Sequence, residues 1–373
     1  DVLGGVGFSA DIWTGDGNSN GQKITTGVDL LTDGGMVWIK ARDRSSGDLY
    51  SRHFIWDTER GSTNTSYLSP DVEDSEGQQG SLGGKIDILS DGFTAGGPGA
   101  NNNETYVGWS FRKAPGFFDI VTYDGDGGVQ NVSHNLGQAP GILIVKSTSH
   151  DGYGWYVYHH SVENAKGKYG VLHGSDQFNS NNMWYNTAPT DSVFTVTSNS
   201  TNGSGMSYVA YLFADNPSQN IACGSYIEST TRQEVNVGFK PEFLLYKGES
   251  IGSNWRLIDT TRGFSSDSPA RTLEADNAQQ EMNENAFFLR DNGFSAPSSW
   301  FGNGQKILYM VIGSPNFNVP TTQLTLTDTT VSKVSDGSLI GGTTIDQVLT
   351  VGETVRADTA VNSTVATPVF SAT

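Results

Sequence analysis

One cysteine in 373 residues, Cys223, excludes an intramolecular disulfide framework. It lies in the apolar run Ile221-Ala222-Cys223-Gly224 and reads as a small buried side chain. Positive charge is scarce too: 22 Lys and Arg stand against 40 Asp and Glu, a net charge of -18. Such a chain repels phosphate backbones and anionic lipid, so nucleic acid is not an expected partner. No apolar run reaches the length of a membrane-spanning helix, which argues against membrane insertion. The chain has no Gly-x-Ser-x-Gly elbow, no phosphate loop and no dinucleotide fingerprint, so no cofactor is expected. It begins at Asp1 without a signal-peptide pattern or initiator Met, as a processed product or a piece of a longer polypeptide would.

What the chain does have is rings and turns. It carries 8 Trp, 14 Tyr and 18 Phe, which a disordered chain lacks. Its 46 Gly, with many Asn, Ser, Thr and Asp, mark frequent turns. Short strands joined by tight loops around large aromatic side chains follow, hence an all-β fold.

Three series of landmarks recur in the same order. An apolar strand ends in lysine at Met36-Val37-Trp38-Ile39-Lys40, at Ile142-Leu143-Ile144-Val145-Lys146 and at Phe243-Leu244-Leu245-Tyr246-Lys247, with the lysines 106 and 101 positions apart. A strand of aromatic and β-branched residues comes next, at Phe54-Ile55-Trp56, Trp155-Tyr156-Val157-Tyr158 and Trp255-Arg256-Leu257-Ile258. Then follow Gly92-Phe93-Thr94, Val193-Phe194-Thr195 and Gly293-Phe294-Ser295. Each series closes on an apolar strand: Tyr106 to Phe111, Tyr208 to Phe213, and Ile307 to Ile312, the last with room for a slip near Lys306. The units are placed at 1–118, 119–219 and 220–316, each a two-layer β-sandwich of jelly-roll or lectin-like type. The lysine-terminated runs are continuously apolar, as strands covered on both faces are. Only Ala275 to Phe287 offers a helix, and Asn283 and Asn285 weaken it.

Residues 317–373 differ. They hold no Trp or Tyr, they alternate like half-exposed strands at Leu324–Thr327 and Val348–Val351, and Gly341-Gly342 marks a turn. Too few large apolar residues are present for a private core, so this β-rich extension is expected to dock on the units or on a neighbouring subunit.

Four groups of residues invite a chemical reading. Asp57 with Arg60, and Asp259 with Arg262, fit a strand-end turn in which the arginine reaches back to the carboxylate. The middle unit lacks this motif and holds five of the six histidines, among them His159 and His160. Their spacing is not that of a metal site. Asp124-Gly125-Asp126-Gly127 resembles part of a calcium loop but lacks its distal ligand, and a Gly-rich turn explains it as well. Trp184, Tyr185 and Trp300 stand in polar loops, where an aromatic either stacks on a sugar ring or anchors the loop. No carboxylate pair stands out as an acid/base couple.

The motifs Trp13-Thr14-Gly15-Asp16-Gly17, Val37-Trp38-Ile39-Lys40, Asp57-Thr58-Glu59-Arg60-Gly61, Gly92-Phe93-Thr94 and Tyr106-Val107-Gly108-Trp109 resemble an uncharacterised repeat domain of tail and virion proteins of marine bacteriophages. The resemblance covers about residues 5–316. It implies a virion or extracellular location and brings no catalytic residue with it. The leading expectation is a non-enzymatic virion surface protein, either a tail fibre or appendage or a capsid decoration. It would associate with other virion proteins and with copies of itself, and would help in host attachment. The alternatives are a lectin-like module for a host surface glycan, a cellular filament or surface-layer protein, and a polysaccharide-degrading enzyme.

Overall fold

The computed structural model describes residues 5–18, 20–44, 49–61, 66–76, 84–268, 270–284, 287–314 and 316–317, then short strands between 324 and 349. Val6–Asn316 form one compact body, and Asp1–Gly5 with Phe317–Thr373 form a second.

Within the first body the repeats emerge as three sandwiches of one topology, in which 24 strands form six antiparallel sheets. Each unit opens with a leading strand: Phe8–Thr14, Phe118–Asp124 or Ile221–Ile227. This strand pairs with the closing strand, Thr105–Arg112, Ser207–Ala214 or Lys306–Ile312. The closing strand pairs in turn with the lysine strand, Gly35–Ala41, Pro140–Ser147 or Phe243–Gly248. The aromatic strand, His53–Asp57, Trp155–His159 or Arg256–Asp259, comes next. Units two and three extend this large sheet to six strands. The second layer is small and is built on Gln22–Thr25 with Gly92–Gly96, Val129–Ser133 with Val193–Thr197, and Gln233–Asn236 with Gly293–Ala296.

The register removes the slip allowed near Lys306. Lys40, Lys146 and Lys247 lie opposite Val107, Val209 and Leu308, so Trp109, Tyr211 and Met310 are equivalent positions. Opposite residues on the aromatic strand make Asp57, His159 and Asp259 equivalent as well.

Alternation along the lysine strand feeds two cores. Val37 and Ile39 face the small sheet and pack with Ile24, Ile86 and Phe93. In unit three Leu244 and Tyr246 do the same with Phe294 and Leu289. Side chains of the opposite phase turn toward the other units: Trp38, Phe111, Ile144, Phe213, Leu245 and Met310 line one small void shared by all three. Rings meet across the units, Phe111 with Phe213 at 5.7 Å and Trp109 with Phe243 at 6.0 Å. The lysine strands are therefore buried on both faces along their whole length, as their unbroken apolar runs imply.

Two expectations need correction. Ala275 to Phe287 contains no helix among its described residues; Met282–Glu284 is a strand paired with Ala270 to Thr272. In the second body Gly341-Gly342 is not a turn but lies inside the strand Ser338–Thr344. That strand pairs with Thr330–Ser335, and the register shifts between Val331 and Lys333 as the partner runs from Thr343 to Ile340. The glycines sit at this irregularity, where a residue without Cβ bends most easily.

Candidate functional site

The Asp-Thr-x-Arg-Gly motif ends the aromatic strand, and its polar atoms are satisfied within a few residues. Asp57 accepts from Arg60 Nε at 2.6 Å and from the Arg60 backbone N–H at 2.9 Å. Asp259 accepts from Arg262 at the same two distances. Each guanidinium also donates to a carbonyl of its own strand, that of Ile55 or Leu257, at 3.1 Å. Both pairs are buried.

A further contact to each carboxylate crosses between units. Tyr211 of unit two donates its hydroxyl to Asp57 at 2.7 Å, and Trp109 of unit one donates its indole N–H to Asp259 at 2.9 Å. The third equivalent pair is His159 with Met310. A thioether has no donor, so a carboxylate there would gain no hydrogen bond from the neighbouring unit. His159 instead donates Nε2–H to the Tyr309 carbonyl at 3.2 Å, while its Nδ1 accepts from the Ser161 N–H. The unit whose neighbour presents no donor is thus the one that lacks the Asp/Arg turn.

Other equivalent positions repeat this joint around the body. His53 donates Nε2–H to Glu274 O at 2.8 Å, Trp155 donates Nε1–H to Ser69 O at 3.0 Å, and Trp255 donates Nε1–H to Val171 O at 2.7 Å. Backbone N–H groups of Glu76, Phe178 and Glu281 reach the carbonyls of Thr148, Glu249 and Arg42. Each unit therefore grips the next in the same sense, one to two, two to three and three to one. Three head-to-tail contacts close a pseudo-threefold ring within one chain. The leading strands, which are sheet edges, are covered at these joints as well. The carbonyls of Ala10, Ile120 and Cys223 accept from Thr261, Lys113 and His160.

The three strand-ending lysines are wholly buried. Lys40 donates to Ala41 O at 2.6 Å, Lys146 to Ser147 O and Tyr153 O at 2.8 Å each, and Lys247 to Ser253 O. Burial pushes each ammonium down to about 8, against the pull of Asp71, Asp151 and Asp276 respectively. Burial raises Asp71 to about 6 and Asp276 to about 7. The sequence signalled these lysines by repeating them, but burial and the ring around them were not legible in it.

The calcium-like fragment has a different partner. Asp126 accepts from the Gly128 N–H at 2.7 Å and from Asn202 Nδ2 at 2.7 Å, and its N–H donates to Asn202 Oδ1 at 3.0 Å. Asp16 and Asn101 repeat the arrangement in unit one. The Asp–Asn staple holds the leading turn to the loop before the closing strand. Gly15 and Gly125 make it possible, since a Cβ there would lie 1.7 Å from Asn102 O or 2.3 Å from Gly203 O. Unit three staples itself differently: buried Glu228 accepts from the N–H groups of Trp300 and Phe301 at 3.1 and 2.7 Å. Among the described residues no three His, Cys, Asp or Glu side chains are grouped to hold a metal ion.

The loop aromatics divide. Trp184 is 1% exposed; it donates to Lys168 O at 2.8 Å and meets Tyr158 edge-on. It anchors its loop and offers no face for a sugar, which corrects its reading as a ligand contact. Tyr185 is 50% exposed in a left-handed backbone conformation, and Trp300 is 42% exposed. The Arg256 guanidinium lies 5.6 Å from the Trp300 ring centroid and pairs with Glu274. Trp184, Tyr185 and Trp300 do not form a single site: two stand in unit two and one in unit three.

A family described as Domain of unknown function (DUF7483) matches residues 5–314. That span is nearly the whole ring and not one repeat. No curated protein matches the chain.

Proposed function

We propose, from the premise that this chain belongs to the DUF7483 family, that it is a non-catalytic structural protein displayed on the outside of a virion, as a tail fibre, tail appendage or capsid decoration. The observation that supports this reading most is the closed ring. Its buried Asp57 and Asp259 accept across the joints from Tyr211 and Trp109, so carboxylates that looked chemical serve as fasteners. A protein outside a cell without disulfides needs such a source of robustness, and three interlocked joints supply it. The resemblance to virion proteins of marine bacteriophages points the same way. Mass spectrometry and electron microscopy of purified particles test it. The protein should be found on the particle surface in symmetric copies; its absence from particles sinks the proposal.

Exposed Trp300 and Tyr185 favour a second reading, attachment to a host surface glycan. Unit three presents Ile227 and Trp300, 51% and 42% exposed, on the joined ends of its leading strand and staple loop. The equivalents of Ile227 are Thr14 and Asp124 in the other units. Binding to host polysaccharide that falls on Trp300→Ala supports attachment; binding that ignores both Trp300→Ala and Tyr185→Ala removes these aromatics from it.

A further inference from the structure

The three units depart from their common plan where the lysine strand begins. The N–H groups of Thr58, His160 and Thr260 donate to the carbonyls of Gly35, Gly141 and Glu242, so these three acceptors are equivalent. In units one and two the place is filled. A Cβ on Gly35 would lie 2.6 Å from Leu30 Cδ2, and one on Gly141 would lie 2.5 Å from Cys223 Cβ. Unit three carries Glu242 there and leaves a cleft of about 750 Å³ in front of it. That volume is within the range of small-molecule sites.

The lining is specific in kind. Buried Pro241, Phe264 and Leu289 close its base, and Thr260, Ser265 and Ser266 bring hydroxyls to the wall. At the rim Lys240 stands 3.9 Å from Asp291, while Arg290 is engaged by Glu234 at 3.0 Å. Glu242 accepts from the Ser314 hydroxyl. Two cations and two carboxylates cancel, so the cleft offers no net charge to a phosphate or sulfate, and the chain's -18 repels such ligands further. Hydroxyls and paired charges suit a neutral ligand with many hydroxyls.

We infer that this cleft binds two or three sugar units of a neutral oligosaccharide. The inference rests on the attachment reading and places the sugar in a cleft that neither Trp300 nor Tyr185 lines. Glu242 and Asp291 would accept sugar hydroxyls, and Lys240 and Ser266 would donate.

Amide NMR of the full chain, titrated with maltotriose, cellotriose and chitotriose in turn, tests it. At least one sugar should cause saturable shifts at the amides of Thr260, Ser265, Ser266 and Arg290. Ser266→Trp, an exposed substitution that fills the cleft, should weaken binding by roughly tenfold or more. Trp300→Ala should leave those shifts in place. Shifts absent from these four amides, or unchanged in Ser266→Trp, overturn the inference. So does tighter binding of sialyllactose, a charged sugar, at the same amides. The two readings fail separately. Shifts that follow Trp300 alone keep attachment and refute the cleft, whereas absence from particles refutes virion display and leaves a measured cleft affinity standing.

Discussion

His159, Asp57 and Asp259 occupy one position in three units and solve one problem with two chemistries. Where the neighbour brings Tyr211 or Trp109, a carboxylate can accept its hydrogen bond; where it brings Met310, an imidazole donates to backbone instead. The Asp259→Ala variant strips the Trp109 indole of its acceptor and leaves buried Arg262 only Glu281 and the Leu257 carbonyl. It should cost about 3 kcal/mol in urea unfolding; a loss within experimental error contradicts this account of the joint. Burial holds His159 down at about 3, with His160 and Lys306 adding to the effect. The unfolded chain then binds a proton below its own pKa of about 6.5 that the fold refuses, so this contribution to stability falls as pH drops from 6.5 toward 3. By pH 5 the cost is about 2 kcal/mol. Asp71 and Asp276, raised by burial, act oppositely and favour the fold as pH falls through 7 and 6. Comparison with His159→Gln isolates the histidine, because a glutamine amide still donates to the Tyr309 carbonyl. Its unfolding midpoint should drop less between pH 7 and pH 5 than that of the natural chain, and parallel drops exclude His159 as the source.

Among the elements, the leading strands and their turns carry the clearest constraints. Each leading strand is an edge of its sheet, and each is capped by a side chain of the neighbouring unit. The turn that follows is fixed in units one and two by the Asp–Asn staple. Asn202→Ala removes three hydrogen bonds around a fully buried side chain and leaves the Asp126 turn untied. It should destabilise by about 2 kcal/mol and raise amide exchange across residues 125–128 and 202–205. Unchanged exchange in those two loops shows the staple to be idle. The sequence displayed half of this element: Asp16 and Asp126 stand in a visible Gly-rich motif, whereas Asn101 and Asn202 lie more than seventy positions away in loops without a pattern.

For the body as a whole, the shared interior makes the three sandwiches interdependent. Each large sheet has one face on its own small sheet and the other on its neighbours. Residues 119–219 alone would expose Ile144 and Phe213 and strip Lys146, Trp155 and Tyr211 of their surroundings. This excised unit should lack near-ultraviolet circular dichroism and dispersed NMR signals. The body Val6–Asn316 should melt in one transition, since each unit loses the cover of one face of its large sheet when a neighbour leaves. Native-like dispersion from the excised unit speaks against the ring as the unit of folding. The family match over residues 5–314 also treats the ring as one domain.

Repetition, strand identity and the two-faced burial of the lysine strands were determined by the sequence itself, because they rest on local pattern: spacing near one hundred, apolar continuity and Gly-rich turns. The same local pattern exposed the Asp/Arg turn, whose partners stand three residues apart. What only the tertiary structure decided is which distant groups share a joint. Nothing local ties Trp109 to Asp259, or Asn202 to Asp126, and nothing local tells a loop tryptophan that anchors, as Trp184 does, from one that faces solvent, as Trp300 does. Scarcity of cysteine excluded disulfides at the outset; ring closure, the contact of the third unit with the first, shows what holds the body together in their place.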